Sequence, residues 1–366
     1  MDACLTPVAT PLSGRVTVNA APLRVVYWTG IWHPGREGLS NEVAALRTAL
    51  APRARIVSFS AGQRSRLWPI DGVVRLSGRR YVLLHGLAAA LERQADFGHV
   101  FGAVDAWHLL RVLGRRPVLF TVAIHGRPLP HLYDKVACFA AETPAVADVL
   151  VRAGISARRI HLVYPGVDLT RYRPQARASQ AVRIVFASSP ASVEDIGRRG
   201  IPLLVEAARL CPDVEVVLMW RPWGRTERLM RALDRLNPPS NVKVKVGIVP
   251  DIAAVYQAAD ATVFLPAAGA GKSCPNSVVE GLACGSPAIL TPECGLAPVV
   301  SSAGAGVVIR DRTPAALAAA IREIAREPAG FGQRARALAE RAFDARVFIE
   351  RYAELYRAMS REGHSG

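Results

Sequence analysis

Residues 260–295 hold the densest set of groups able to do chemistry. A short apolar run, 260–265, leads into a loop of small residues, 266–271. Then comes Lys272-Ser273-Cys274-Pro275-Asn276-Ser277-Val278-Val279-Glu280, followed by Gly285-Ser286-Pro287. A strand feeding a glycine-bearing loop and then a helix presents free peptide N–H groups and the positive end of a helix dipole. That arrangement binds anions, and a diphosphate fits it. Glu280 falls about one turn into the helix expected at 276–283, where a carboxylate can accept two hydrogen bonds from vicinal hydroxyls such as those of a ribose. The plainer reading of Glu280 is a solvent-facing helix residue. A proline before the helix and Gly285 after it mark the two ends.

The elements that must hold these residues alternate along the chain. Apolar runs at 24–29, 55–60, 99–102, 118–123 and 136–140 read as strands, with helix-patterned stretches at 41–50, 83–94, 106–113 and 145–153. A break follows at Tyr164-Pro165-Gly166-Val167-Asp168 and the polar stretch 172–180. The alternation then restarts, with strands at 182–188, 214–220, 242–246, 261–265, 287–290 and 306–309. Helices are expected at 200–210, 226–236, 252–258, 276–283, 314–326 and 347–359. This pattern predicts an α/β protein with parallel sheets covered on both faces, and 366 residues predict more than one core. We expect a loose extension at 1–22, a Rossmann-like domain at 23–170, a second at 171–345 and a terminal helix within 346–366. Parallel sheets of this kind bind ligands beyond the carboxyl ends of their strands, so the cleft between the domains is the expected site.

The net charge is +16, and residues 1–174 carry 22 basic against 11 acidic residues, almost all the cations being Arg. A basic first half favours an anionic partner by long-range attraction, although an Arg-rich composition without a dedicated partner explains the charge equally well. The six cysteines are scattered, without Cys-x-x-Cys pairs or zinc spacing, and read as reduced thiols in a cytoplasmic protein. The first 22 residues hold Arg15 as their one basic residue and no apolar block, unlike a secretory signal. No apolar run approaches the roughly 18 residues of a membrane span.

The sequence resembles the retaining family 4 glycosyltransferases, which have the GT-B fold. Their signature is a Glu, seven residues and a second Glu on a helix, then small residues and Gly-x-Pro before a strand. Glu280 matches the second Glu, and Gly285-Ser286-Pro287 the Gly-x-Pro. The resemblance runs over roughly residues 23–360. Tyr164-Pro165-Gly166-Val167-Asp168 is similar to the family's hinge stretch. Gly247-Ile248-Val249 with 253–260 resembles the strand and helix whose backbone holds the nucleotide base. Tyr352–Tyr356 resembles the helix that crosses back to the first domain.

The resemblance implies a ribose contact at Glu280 and diphosphate contacts from the amides around Cys274, Pro275, Asn276, Ser277 and Val278. It also implies a flexible glycine loop, 30–38, ending at Gly38 near the acceptor and the sugar phosphate, and a histidine, His125, approaching the donor sugar. Lys272 stands where the family has its first Glu, and can pair with a carboxylate or a phosphate. The family's Arg after the first strand of the second domain is absent at Ser188, while Arg198-Arg199-Gly200 occupies the place of its Lys-Gly. Arg199, with Arg198 beside it, is then the expected diphosphate ligand.

We therefore expect a metal-independent transferase using a nucleoside-diphosphate sugar, most often UDP in this family, with no separate cofactor. No Asp-x-Asp metal motif occurs. His125, Arg199 and Lys272 are the expected catalytic groups. His33, His99, Asp105 and Glu37 are weaker candidates. The expected acceptor is anionic: a lipid-linked precursor at the inner membrane face, or a natural-product intermediate, free or on an acidic carrier protein. Membrane association is expected to be peripheral at most. A catalytically degenerate GT-B binding module is the first alternative. A nicotinamide-dependent oxidoreductase would need Gly-x-Gly-x-x-Gly after a strand, which neither sheet start offers. A nucleic-acid binder has only the charge in its favour.

Overall fold

The computed structural model describes residues 23–60, 64–176, 181–222 and 226–363; the expected extension at 1–22 lies outside them. The first sheet contains β1 (Val25–Thr29), β2 (Arg55–Ser60), β3 (Arg66–Ile70), β4 (Val73–Ser77), β5 (Phe97–Ala103), β6 (Val118–Ile124), β7 (Val136–Ala141) and β8 (Ile160–Leu162). The second contains β9 (Arg183–Phe186), β10 (Glu215–Trp220), β11 (Val242–Val246), β12 (Ala261–Phe264), β13 (Ala288–Leu290) and β14 (Gly306–Val308). The second sheet runs β11-β10-β9-β12-β13-β14, all parallel, which is the doubly wound order. The first runs β3-β4-β2-β1-β5-β6-β7-β8, the same order enlarged by an antiparallel edge strand, β3, and a last strand, β8. In each sheet the order reverses beside the first strand, between β1 and β5 and between β9 and β12. The carboxyl ends of those strands open onto the cleft.

Six strands and α-helices among the described residues go beyond the expected set. The β3–β4 hairpin turns at Asp71 and Gly72, both with positive φ (51° and 75°), and Asp-Gly is a strong two-residue hairpin signal. Pro69 is tolerated because β3 is an exposed edge. β8 is three residues long. Val193–Arg198 and Ala297–Ser302 are six-residue helices, too short to show a period. The helix Pro328–Ala342 contains Gly330 and Gly332, poor helix formers. It is held by packing and by Arg336, whose guanidinium donates to the carbonyls of Ala283 and Tyr172, both at 2.7 Å.

The last helix, Ala345–Gly363, leaves the second domain and completes the core of the first. Phe348, Tyr352, Tyr356 and Met359 are buried with Val25, Tyr27 and Phe97. A buried polar chain fixes its register. His99 Nδ1 lies 2.8 Å from the Tyr356 hydroxyl and His99 Nε2 2.7 Å from Thr121 Oγ1. Thr121 also meets the Tyr352 hydroxyl at 2.7 Å, and the Tyr356 hydroxyl donates to that of Tyr27 at 2.9 Å. His99 is thus a structural residue inside the core and not a site candidate, and burial holds its imidazole neutral.

A second seam joins the domains at the loop before residue 276. Lys272 bridges to Ile124 at the end of β6, Ser273 N donates to the Ala123 carbonyl at 2.9 Å, and the Ser273 and Thr143 hydroxyls meet at 2.6 Å. The Lys272 ammonium contacts Glu42, and Glu142 at 3.2 Å, both buried carboxylates of the first domain. Burial opposes the lysine's charge, but Glu142 and Glu42 outweigh it and hold the ammonium above its ordinary range. Burial and the neighbouring Glu42 push the Glu142 carboxyl well up. With the proton on Glu142, one cation faces one anion and the cluster is electrically closed.

Tyr356→Phe should lower stability by about 1–3 kcal/mol, since it strips partners from His99 and Tyr27 in the core; urea unfolding with an unchanged m value would show it. Lys272→Met should cost about 3–5 kcal/mol near neutral pH by leaving buried carboxylate charge uncompensated. That cost should shrink as pH falls, because protonation removes the charge; melting temperatures of parent and variant at acid and alkaline pH check the sign.

Candidate functional site

Glu280 sits in the helix Asn276–Ala283, which begins after the proline-fixed Pro275 with no side chain capping its first amides. Asn276 and Ser277 are partly open at this end, whereas Val278 and Cys274 belong to the core. Burial also pushes the Cys274 thiol well up, so its side chain packs and only its backbone borders the site. The Glu280 carboxyl keeps partial surface contact but is closely surrounded. Burial raises it to about 7. Arg221 and hydrogen bonds from Tyr256 and Tyr172 work the other way, favouring the ionised form. Tyr256 comes from the helix Ile252–Gln257 and Tyr172 from the hinge, so three separate segments meet at one carboxylate.

One recess beside Tyr256 is lined by Gly247, Ile248, Val249, Ser189 and Arg221, with Gly35 and Arg36 facing from the first domain. The Gly247 N–H donates to the Trp220 carbonyl at 2.8 Å, turning the chain out of β11 at a φ of 144° that favours glycine. A second recess is lined by Asn276, Glu42, Asp168, Arg171 and Tyr172. Glu280 lines this second recess and meets Tyr256, which lines the first.

At the switch point of the second sheet, Arg199 donates to Ser188 Oγ at 2.6 Å and pairs with Asp195 at 3.6 Å. Its Nε is buried and makes no hydrogen bond among the described residues. The exposed Arg198 uses its carbonyl to accept from Ala267 N at 2.7 Å, tying the arginine turn to the loop before Lys272. Gly200 has a φ of 75°, and a Cβ there would sit 2.6 Å from the Leu265 carbonyl oxygen, so the turn closes against the end of β12 only with glycine.

Two expectations change. Lys272 was an expected phosphate or carboxylate partner. Its ammonium is engaged with Glu42, Glu142 and Asn276 Oδ1, the last at 2.9 Å, and is not offered to a phosphate. The glycine loop ending at Gly38 was expected to serve a phosphate, but the Glu37 carboxylate already accepts from Leu39 N (3.0 Å) and Ser40 N (2.7 Å). Glu37 is therefore a helix cap. A Cβ on Gly38 would lie 2.5 Å from Asn276 Oδ1, so the glycine lets the two helix starts approach. His125 stands at the end of β6 beside the Lys272 bridge, its Nε2 buried without a hydrogen bond among the described residues and burial keeping it neutral. Tyr172, Tyr256 and Arg221 were not among the expected site residues, because nothing local in the sequence shows that these side chains turn toward Glu280.

Residues 196–344 match the sequence model of the family described as Glycosyl transferases group 1. A D-inositol 3-phosphate glycosyltransferase of Mycolicibacterium gilvum is 32% identical over 189 residues, covering 48% of this chain and 42% of that protein. The corresponding protein of Mycobacteroides abscessus is 28% identical over 58% of this chain and 50% of its own length. The chain thus matches about half the length of these curated relatives. Among solved structures, Anabaena Alr3699/HepE in complex with UDP and glucose superposes with a TM-score of 0.71 at 17% identity, over 91% of this chain and 99% of that one. WaaG, a glycosyltransferase involved in lipopolysaccharide biosynthesis, gives 0.65 at 16% identity over 91% and 99%. The chain has the two-domain GT-B fold of these glycosyltransferases, and its residues 196–344 match the Glycosyl transferases group 1 family.

Proposed function

We propose that this protein transfers a sugar from a nucleoside-diphosphate sugar, most simply a UDP-sugar, to an acceptor hydroxyl or amine, with retention and without a metal. The observation that carries the reading is Glu280, a poised carboxylate one turn into an uncapped helix and flanked by the phenols of Tyr172 and Tyr256. In this reading the carboxylate takes the ribose hydroxyls, and the recess at Gly247, Ile248 and Val249 takes the base. The amides of Asn276 and Ser277 take the diphosphate. The UDP complex of the HepE neighbour supports the choice of donor.

As the bond from the anomeric carbon to the diphosphate breaks, negative charge grows on the leaving oxygen. The helix start and the unpaired Nε of Arg199 would stabilise it where water is largely excluded. The acceptor oxygen forms the new bond to the anomeric carbon on the face just vacated. Its proton passes to the departing phosphate, so no separate base is needed. His125, held neutral, would donate a hydrogen bond to the sugar. The five described cysteines form no disulfide with one another, and no helix among the described residues is long and apolar enough to cross a membrane. Both fit a cytoplasmic enzyme, at most peripheral at a membrane. The basic first half supports an anionic acceptor, either a lipid-linked precursor or a natural-product intermediate, alone or on an acidic carrier protein.

UDP affinity should strengthen as pH rises through about 7 in the parent, because the ionised Glu280 accepts from both ribose hydroxyls. Glu280→Gln should lose that dependence and bind about tenfold more weakly. The linkage runs the other way for stability: a carboxyl raised in the folded state takes up a proton on folding, so its contribution falls as pH rises from about 4.5 to about 7. Ligand-free Glu280→Gln should therefore melt above the parent at alkaline pH. Thermal shifts with and without UDP measure both; equal UDP shifts and equal turnover in parent and Glu280→Ala would sink the assignment. NMR of the product's anomeric proton should show the donor's configuration kept, and inversion would overturn retention.

A further inference from the structure

A cluster of rings at the carboxyl end of the first sheet is not used by the donor chemistry above. Tyr81, at the start of the helix Tyr81–Glu92 that follows β4, is its hub. Its ring centroid lies 5.9 Å from Phe59 on β2, 5.2 Å from His85 and 5.8 Å from Trp107. His108 closes the group at 5.3 Å from Phe59. Phe59 and Tyr81 are anchored against the core, but Trp107 is 47% exposed.

The sheet order places this cluster beside the reaction centre. β4, β2, β1, β5 and β6 are successive neighbours, and the rings hang from the carboxyl ends of β4, β2 and β5. His125 follows β6, the strand next to β5. The two strand ends are tied by Val104 N donating to the Ile124 carbonyl at 3.1 Å, and Asp105 packs within 2.8 Å of where a Cβ of Gly126 would be. Trp107 is two residues beyond Asp105, which packs against Gly126 beside His125, so the platform and His125 occupy loops at the carboxyl ends of two neighbouring strands. Glu280 and the recess at residues 247–249 belong to the other domain.

Two features make a purely structural cap an incomplete account. The Tyr81 hydroxyl is buried with no hydrogen-bond partner among the described residues, a cost that a ligand oxygen would remove. The large indole is left half in water among the described residues, and the Arg111 guanidinium stands over its ring 5.8 Å from the centroid, a cation beside the open part of the face.

We propose that this aromatic platform is the acceptor subsite and selects a ring-bearing acceptor. The ring stacks on Trp107 through a flat C–H or π face, and a polar edge accepts from the Tyr81 hydroxyl. The inference rests on the glycosyltransferase reading and adds to it the acceptor's chemical class. It separates a cyclic acceptor, such as a glycoside or an aromatic aglycone, from an open-chain phosphate.

The test is saturation-transfer NMR on the full chain with UDP present, using p-nitrophenyl β-D-glucopyranoside, methyl β-D-glucopyranoside and glycerol 3-phosphate as probes. Ring protons of at least one glucoside should receive saturation, and glycerol 3-phosphate should receive none. Signal from p-nitrophenyl glucoside alone assigns the stacked face to an aromatic ring; signal from both assigns it to the sugar. Trp107→Ala should weaken binding about tenfold, Tyr81→Phe less, and Trp107→Phe should restore most of it. UDP-induced melting shifts are measured in every variant. A lost shift in the parent strikes the donor reading itself. An intact shift with glucoside binding absent, or equal in parent and Trp107→Ala, or with glycerol 3-phosphate bound in place of the glucosides, overturns the platform.

Discussion

Taking an ammonium out of water costs several kcal/mol, and Lys272 is stable in the seam because Glu42 and Glu142 reach it from the other domain. The contact is more than a tether. Lys272 heads the segment that turns into the helix of Glu280, so the same cluster that docks the domains also sets the height of that helix in the cleft. The Ser273–Thr143 hydroxyl pair and the Ser273–Ala123 backbone bond stiffen the next residue along. Asn276 ties the ammonium to the first turn. A carboxylate at position 272 would remove the one cation and set a third acid against Glu42 and Glu142, so a lysine there and two acids opposite form one electrostatic unit.

Glu280 faces a different balance. Burial favours its neutral form, while two phenols and Arg221 favour its charge, leaving the group close to its transition near neutral pH. A carboxylate so poised can exchange its protein partners for ligand hydroxyls at small cost. Arg199 follows the same logic: Ser188 and Asp195 fix the guanidinium while Nε stays unpaired. Both groups follow the central strands of the second sheet, β9 and β12, between which strand order reverses, so the fold collects them there.

Much of the architecture was legible because its signals are local. The alternation of β-run and helix predicted two parallel sheets; the structure adds that Thr143 and Thr313 cap the helices after them, their hydroxyls accepting from Val146 N and Ala316 N. The Asp71-Gly72 turn carried a hairpin signal that went unread. The helix Pro328–Ala342 was hidden for a physical reason: its glycines lower its propensity, and Arg336 reaching the carbonyls of Ala283 and Tyr172 restores it from outside the segment.

The site divides along the same line. Taken alone, the sequence determined the uncapped helix start, the placement of Glu280 one turn along it and the glycines that permit tight approaches, since each follows from spacing and backbone freedom within a few residues. Only the tertiary structure decided that Lys272 meets Glu42, 230 residues away, that Glu37 caps its own helix, and that Tyr172 and Tyr256 converge on Glu280. Partners so far apart in the chain leave no periodic trace, and a charged side chain reads the same in sequence whether it faces water, a phosphate or a buried carboxylate.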